Sequence, residues 1–259
     1  MVALIYVLII IAANVIGSIS GLGGGSIIKP ILDLFRFHSV AEISLYSSVA
    51  VFLMSISSTM RQMKNKVDID WNFALLNSFG SFIGGLLGQG IFDLLMVSIS
   101  NEAYVSLVQI TLTIITLIIS YYLTQNESIN FGFTSSISKI FVGLCLGLLA
   151  SLLGIGGGPL NVAILMACFG VGIREATVYS IITIFFSQLS KLGMIVISQS
   201  YIGMDLKMIL FIIPAALFGG ILGAKISGKL SNESIKKIFN LVLIIVFFIN
   251  CYNAIKIFI

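Results

Sequence analysis

Two glycine clusters, Gly21-Leu-Gly-Gly-Gly25 and Gly154-Ile-Gly-Gly-Gly158, stand 133 residues apart, each inside an apolar stretch. Glycine is the poorest helix former after proline, so each cluster should interrupt a helix. In hydrocarbon, backbone released from a helix must find partners within the protein or line a cavity. Matched breaks in the two halves of an apolar chain are the means by which membrane transporters build a binding site near the bilayer midplane.

The chain is apolar enough for that setting. Of its 259 residues 58% are hydrophobic and 9% charged, against about 25% charged in an ordinary soluble protein. Apolar runs of spanning length recur at 40–60, 73–96, 103–122, 177–198, 208–226 and 239–257, each near the roughly 20 residues that a crossing needs. An all-α integral membrane protein is expected, with little room for a soluble domain. The first apolar segment has no basic residue before it and no convincing cleavage point, so it reads as mature chain. Cys145, Cys168 and Cys251 lie in apolar stretches without metal-ligand spacing and read as packing residues.

The repeat reaches beyond the glycines. Glu42-Ile-Ser-Leu-Tyr-Ser47 matches Glu175-Ala-Thr-Val-Tyr-Ser180 at the same offset. Gly84-Gly-Leu-Leu-Gly88 matches Gly219-Gly-Ile-Leu-Gly223, and Ser100-Asn-Glu102 matches Ser231-Asn-Glu233, with small shifts of register. Four blocks in one order indicate a duplication. Repeat one covers 1–122 (hairpin 1–35, then spans 40–60, 73–96 and 103–122). A polar linker at 123–137 precedes repeat two at 138–259 (hairpin 138–168, then spans 177–198, 208–226 and 239–257).

Loop charge suggests that the repeats are inverted. Arg61, Lys64 and Lys66 follow the first full span of repeat one, whereas the equivalent loop of repeat two holds only Lys207. The next loop reverses the bias, with Lys225, Lys229, Lys236 and Lys237 in repeat two and no basic residue in repeat one. Lys and Arg accumulate in cytoplasmic loops, so equivalent loops of opposite bias mean opposite insertion, with an odd number of crossings per repeat. A glycine-broken re-entrant hairpin plus three transmembrane helices supplies that parity. Lys139 and Arg174 then join the inner group; Lys29, Arg36 and Lys256 fall outside with Lys207. The small-xxx-small pairs Gly84/Gly88, Gly219/Gly223 and Gly143/Gly147 should let helices pack closely.

After each glycine turn a helix should restart, at Ser26-Ile-Ile-Lys-Pro-Ile-Leu and at Pro159-Leu-Asn161-Val-Ala-Ile-Leu. Serine at an N-cap and proline in the first turn are start signals. A helix start exposes unpaired N–H groups and the positive end of the dipole, which together favour an anion. Two such starts meeting at mid-depth would form one donor-rich site; the competing reading is that the glycines serve packing alone. The Gly-x-Gly openings lack the strand–turn–helix context of a nucleotide fingerprint.

Two lysines break the repeat: Lys29 aligns with Val162 and Lys191 with Ser58. A lysine at the bilayer centre costs about 2.5–3.5 kcal/mol on insertion scales and normally faces a partner, a cavity or a substrate. Lys191 should stand at mid-depth with Gln188 on the same face; a salt bridge to Glu175 would be the structural alternative. Ser47 and Ser180 could add hydroxyls to the cavity. Glu42 and Glu175 head equivalent helices, where the dipole stabilises a carboxylate, and proton coupling there stays open. His38 is assigned no role.

The doubled Gly-x-Gly-Gly-Gly motif, each copy followed by a short apolar helix and a hydroxyl-bearing segment, resembles the sulfite exporter TauE/SafE family, also called the TSUP permeases. The resemblance covers nearly the whole chain and implies transport of small sulfur-containing anions, such as sulfite or organosulfonates, across the bacterial inner (plasma) membrane by a multi-pass protein. It assigns the motif positions Gly21, Gly23, Gly24, Gly25, Ser26, Gly154, Gly156, Gly157, Gly158 and Pro159 to the substrate. Where the family often carries Thr-Ser, this chain has Tyr46-Ser47 and Tyr179-Ser180. The expected function is a secondary transporter working on a small anionic solute in a lipid bilayer. An anion channel is the first alternative and an assembly subunit the second. An enzyme is not expected, because zinc-protease and nucleophile-elbow motifs are absent from the sequence. No cofactor, metal or nucleic-acid partner is implied, and a homo-oligomer is left open.

Overall fold

A computed structural model describes residues 2–64, 69–99, 101–126 and 128–258, the side chain of residue 258 excepted. Lys66, Ser100 and the linker residue Glu127 lie outside the described residues. Among the described residues ten helices follow one another: α1 (Val2–Ser20), α2 (Gly25–Phe35), α3 (Val40–Lys64), α4 (Trp71–Ser98), α5 (Glu102–Gln125), α6 (Ser136–Leu152), α7 (Pro159–Phe169), α8 (Ile173–Ile197), α9 (Lys207–Ser227) and α10 (Asn232–Phe258). Seven of them, all but α2, α6 and α7, are long and apolar enough to cross a membrane. The protein is an all-helical integral membrane protein.

Polar residues at the helix starts set the boundaries. Asp70 accepts from the amides of Asn72 and Phe73, Asn101 from Ala103 and Ser135 from Ile137. Each satisfies amides that a helix start leaves unpaired. At the head of α3, Ser39 and Glu42 bond reciprocally, with the Glu42 carboxylate 2.9 Å from the Ser39 amide and the Ser39 hydroxyl 3.2 Å from the Glu42 amide. This is a capping box. Gly170 closes α7 with φ 65°.

Helices α3 and α8 form the centre. They carry the densest set of buried hydroxyls, among them Ser44, Ser47, Ser48, Ser58, Thr177, Ser180 and Thr183. Polar faces are costly against hydrocarbon, which favours an inner place for these hydroxyl-rich helices. Most of the hydroxyls bond carbonyls of the preceding turn, as Ser48 does to Ser44 at 2.7 Å. Helix α9 packs on α3 and α1, and α4 on α8 and α6. Helix α5 lies against α10 and α7, as α10 lies against α5 and α2. Exchanging the first five helices for the last five leaves this pairing unchanged.

Contacts also give helix directions. Ser44 meets Lys191 while Phe52 stacks on Phe185 at 5.3 Å, so α3 and α8 run antiparallel. Asn77 donates to Thr183, and the Asp70 amide donates to Tyr179 earlier along both segments, so α4 runs parallel to α8. Helices α1 and α9 are likewise parallel, with Gly219 against Ile11 and Asn14 and Gly223 against Val15 and Ser18. At one end of the bundle Arg36 and Lys256 exchange bonds with each other's backbone segments. At the other, Lys139 stands over Phe73 at 5.7 Å, and Arg174 bonds the α9–α10 turn.

The glycine pairs do bring backbones together. A Cβ on Gly84 would overlap the Leu144 carbonyl, and one on Gly143 the Asn77 carbonyl, whereas Gly90 has open space around it. Overpacking a tight contact costs about 1–3 kcal/mol or more. Gly84→Leu is therefore expected to lower the melting temperature in detergent by about 5–10 °C, at a few degrees per kcal/mol for a chain of this size. Gly90→Leu should leave it within about 2 °C. Equal melting of both variants would contradict the close contact of α4 with α6.

Candidate functional site

Each glycine cluster forms an elbow, the first between α1 and α2 and the second between α6 and α7. The backbone turns through left-handed geometry at Gly21 and Gly23 (φ 75° and 71°) and again at Gly154 and Gly156 (φ 67° and 63°). Side-chain-bearing residues enter this region only at a cost of about 1–2 kcal/mol, so glycine suits these turns. Pro159 opens α7. The first elbow departs from the expected serine cap. Gly24 precedes α2 with no side-chain cap, and Ser26 lies inside the helix with its hydroxyl turned back to the Gly23 carbonyl at 3.0 Å. The peptide amides, not a serine oxygen, face the break.

The two elbows touch. A Cβ on Gly25 would overlap the Ile155 carbonyl, and one on Gly23 would stand 3.4 Å from the Gly156 carbonyl. Val51 of α3 and Ile184 of α8 close over the crossing, Val51 against Gly23 and Gly156, Ile184 against Gly23 and Gly157. These two residues are themselves 133 positions apart, and with Met54 they make an apolar cluster of their own.

Around this crossing polar groups are buried without partners. Among the described residues the amides of Leu22, Gly23, Gly24 and of Ile155 to Gly158 meet no acceptor. Ser47 Oγ, beside Gly25, and Asn14 Oδ1, against Gly24, are also unpaired, as are Ser151 Oγ, Asn161 Nδ2 and Gln188 Oε1. Ser180 is engaged instead, its hydroxyl donating to the Gly21 carbonyl at 2.6 Å. Buried polar atoms are paired in the great majority of cases. So dense a group of orphans is what a site for a polar solute or water leaves behind.

Lys191 adds charge at the rim of the second elbow. It is fully buried, and its ammonium donates to Ser44 Oγ at 2.9 Å and to the Ser151 carbonyl at 3.3 Å. The same Ser44 hydroxyl lies 2.7 Å from where a Cβ on Gly154 would sit. Among the described residues no carboxylate makes an ion pair with Lys191. Glu175 is not its partner; that carboxylate reaches the Gly172 amide at 3.3 Å, at the far end of α8. Lys29 reaches the same elbow, its Cε 3.3 Å from the Gly154 Cβ position, but its ammonium is paired with Asp33 at 2.9 Å. Lys29 thus brings little net charge. A cavity of about 210 Å³ adjoins Lys191, lined by Ser44, Gln89, Phe92 and Asp93 among others.

Glu42 and Glu175 stand apart from the elbows. Glu42 caps α3 and accepts the Asp205 amide at 3.1 Å. Because α3 and α8 are antiparallel, the two carboxylates sit at opposite ends of the bundle. The site also includes residues that sequence reasoning missed. Asn14, Ser44 and Ser151 carry no isolated signal, but Ser44 is the repeat partner of Thr177, and Val51 of Ile184. The repeat offset would have found both pairs.

The sequence pattern of the family described as Sulfite exporter TauE/SafE matches residues 6–249. A curated relative, "Probable membrane transporter protein YunE" of Bacillus subtilis (strain 168), is 28% identical over 263 residues, covering 93% of this chain and 94% of the relative. No solved structure matches the chain.

Proposed function

We propose, on the premise that the chain belongs to the sulfite exporter TauE/SafE family of multi-pass membrane transporters, that it moves a small sulfur-containing oxyanion, sulfite or an organosulfonate. The anion is held where the elbows cross, by the free amides of Gly23, Gly24, Gly156 and Gly157 and by the Lys191 ammonium. Lys191 carries the reading: a wholly buried lysine with no ion-pair partner among the described residues calls for an anion. Ser47, Asn161 and Gln188 would complete the donor set, and Ser26, Ser180 and Pro159 shape the elbows. Gly21, Gly25 and Gly154 admit the close approach of neighbouring segments, Gly158 offers an unpaired amide, and Lys29 flanks the site.

The two halves, 1–122 and 138–259, act as inverted repeats that rock against each other. The antiparallel course of α3 and α8 supports this, since these helices occupy the same place in their repeats. The contact between elbows, sealed by Val51 and Ile184, favours alternating access over an open channel. Proton coupling at Glu42 or Glu175 finds no support in their positions as helix caps.

In proteoliposomes, radiolabelled sulfite or 2-aminoethanesulfonate is expected to enter with saturating kinetics and to exchange faster when unlabelled solute is trapped inside. Non-saturating flux without this exchange would favour a channel. Flux no faster than in protein-free liposomes for every sulfur oxyanion tried would overturn the substrate class.

A further inference from the structure

We infer that this structure is open from one membrane face as far as Ser44, the residue that holds Lys191, and that Arg174 holds shut the equivalent route from the opposite face. The inference rests on the inverted arrangement proposed above, but on no choice of substrate.

Ala41 and Arg174 are repeat partners, each next to the glutamate of its matched block, and each is the second residue of its helix. Since α3 and α8 run antiparallel, the two residues mark opposite faces. On the first face Ala41 lines the cavity of about 210 Å³, together with Ser44, Gln89, Phe92 and Asp93. Ser44 is the residue that holds the Lys191 ammonium at 2.9 Å. A small side chain at position 41 therefore leaves a way from the surface to Ser44, behind which the lysine stays fully buried.

On the second face the corresponding place is crossed by a guanidinium. Continuing the match of Gly84–Gly88 with Gly219–Gly223, the wall residues Gln89, Phe92 and Asp93 correspond to Ala224, Ser227 and Gly228. Arg174 reaches into that segment. Nη1 donates to the Ser227 carbonyl at 3.3 Å, Nη2 donates to the Leu230 carbonyl, and Nε donates to Asn232 Oδ1 at 3.0 Å. The planar fork of arginine suits this three-way clamp, and a lysine could not reproduce it. Behind it Thr177, the partner of Ser44, is buried and donates to the Ile173 carbonyl at 2.8 Å. One repeat thus holds a short methyl where the other holds a clamp across α8, the end of α9 and the start of α10.

The test uses the full-length protein with Cys145, Cys168 and Cys251 replaced by alanine, in membrane vesicles of known orientation. Leu45→Cys reports on the open cavity, and its repeat partner Val178→Cys on the closed route. With a membrane-impermeant maleimide, the Leu45→Cys reporter is expected to react from the Ala41 face at least tenfold faster than the Val178→Cys reporter from either face. Adding Arg174→Ala should speed the Val178→Cys reporter at least tenfold from the Arg174 face, with Arg174→Lys giving an intermediate gain. Ala41→Arg, made with Arg174 intact, should slow the Leu45→Cys reporter at least tenfold and keeps the test open if Arg174→Ala does not fold. Equal labelling of the two reporters in the parent protein, or rates unmoved by either set of changes, would overturn the inference. Labelling of both from a single face would overturn it together with the inverted arrangement. Failure of sulfite transport with the expected labelling would remove only the substrate reading.

Discussion

Lys191→Met is expected to raise the half-saturating sulfite concentration about 10- to 150-fold while leaving the melting temperature in detergent unchanged or higher. The first effect follows from charge-assisted hydrogen bonding, which contributes about 1.5–3 kcal/mol, at 1.4 kcal/mol per tenfold in affinity. The second follows from what the lysine costs an empty protein. Among the described residues its two hydrogen-bond acceptors, Ser44 Oγ and the Ser151 carbonyl, are neutral and the carboxylate that acts on it, Asp93, makes no ion pair with it; insertion scales place the cost of such a charge at about 2.5–3.5 kcal/mol. Methionine fills similar volume without charge. The Ser151 carbonyl keeps the Gly154 amide at 3.1 Å, so only the Ser44 hydroxyl loses its partner, at about 1–3 kcal/mol. The two terms roughly cancel. A purely structural lysine would give the opposite pattern, with lower stability and unchanged sulfite dependence. Saturation kinetics in proteoliposomes and thermal unfolding of the same preparation distinguish the two.

Gly25→Ala should reduce sulfite flux at least tenfold, and Gly158→Ala should leave it within twofold, although both glycines belong to the same motif. At Gly25 an added methyl group would overlap the Ile155 carbonyl of the facing elbow. Backbone cannot yield as a side-chain end can, so the elbows must separate and the donor set with them. At Gly158 the nearest atom would be 3.6 Å away, and φ is −121°, open to any residue. Gly23→Ala falls between. Its φ of 71° is unfavourable for alanine, but the nearest neighbour is the flexible end of Ile184 at 3.1 Å. Flux measured against the amount of folded protein ranks the three. If Gly25→Ala and Gly158→Ala transport alike, the elbows do not work as a backbone-to-backbone contact.

The difference between Gly25 and Gly158 also marks how far the sequence could be read. Breaks at Gly21–Gly25 and Gly154–Gly158 were legible because glycine opposes a helix locally, and the long spans because hydropathy is additive along the chain. The repeat was legible because it is a pattern of residue types. What could not be read was which surfaces meet. Asp33, one turn after Lys29, neutralises it, and i to i+4 spacing alone could have suggested that. Ser26 is a helix residue because the cap falls at Gly24, two residues earlier than a serine cap would place it, a matter of φ angles at Gly23 and Gly24. The partners of Lys191, Ser44 and Ser151, lie 147 and 40 residues away. They are fixed by how α3, α6 and α8 pack, which no local preference encodes.

Crystals grown with selenite offer the most direct measurement, because selenite shares the pyramidal shape and charge of sulfite and scatters anomalously. The expected result is one anomalous peak within hydrogen-bonding distance of Lys191 Nζ and of the elbow amides of Gly23, Gly24, Gly156 or Gly157, lost in Lys191→Met. A peak elsewhere in the bundle that survives Lys191→Met, with the elbows empty, would contradict anion binding at the crossed helix breaks.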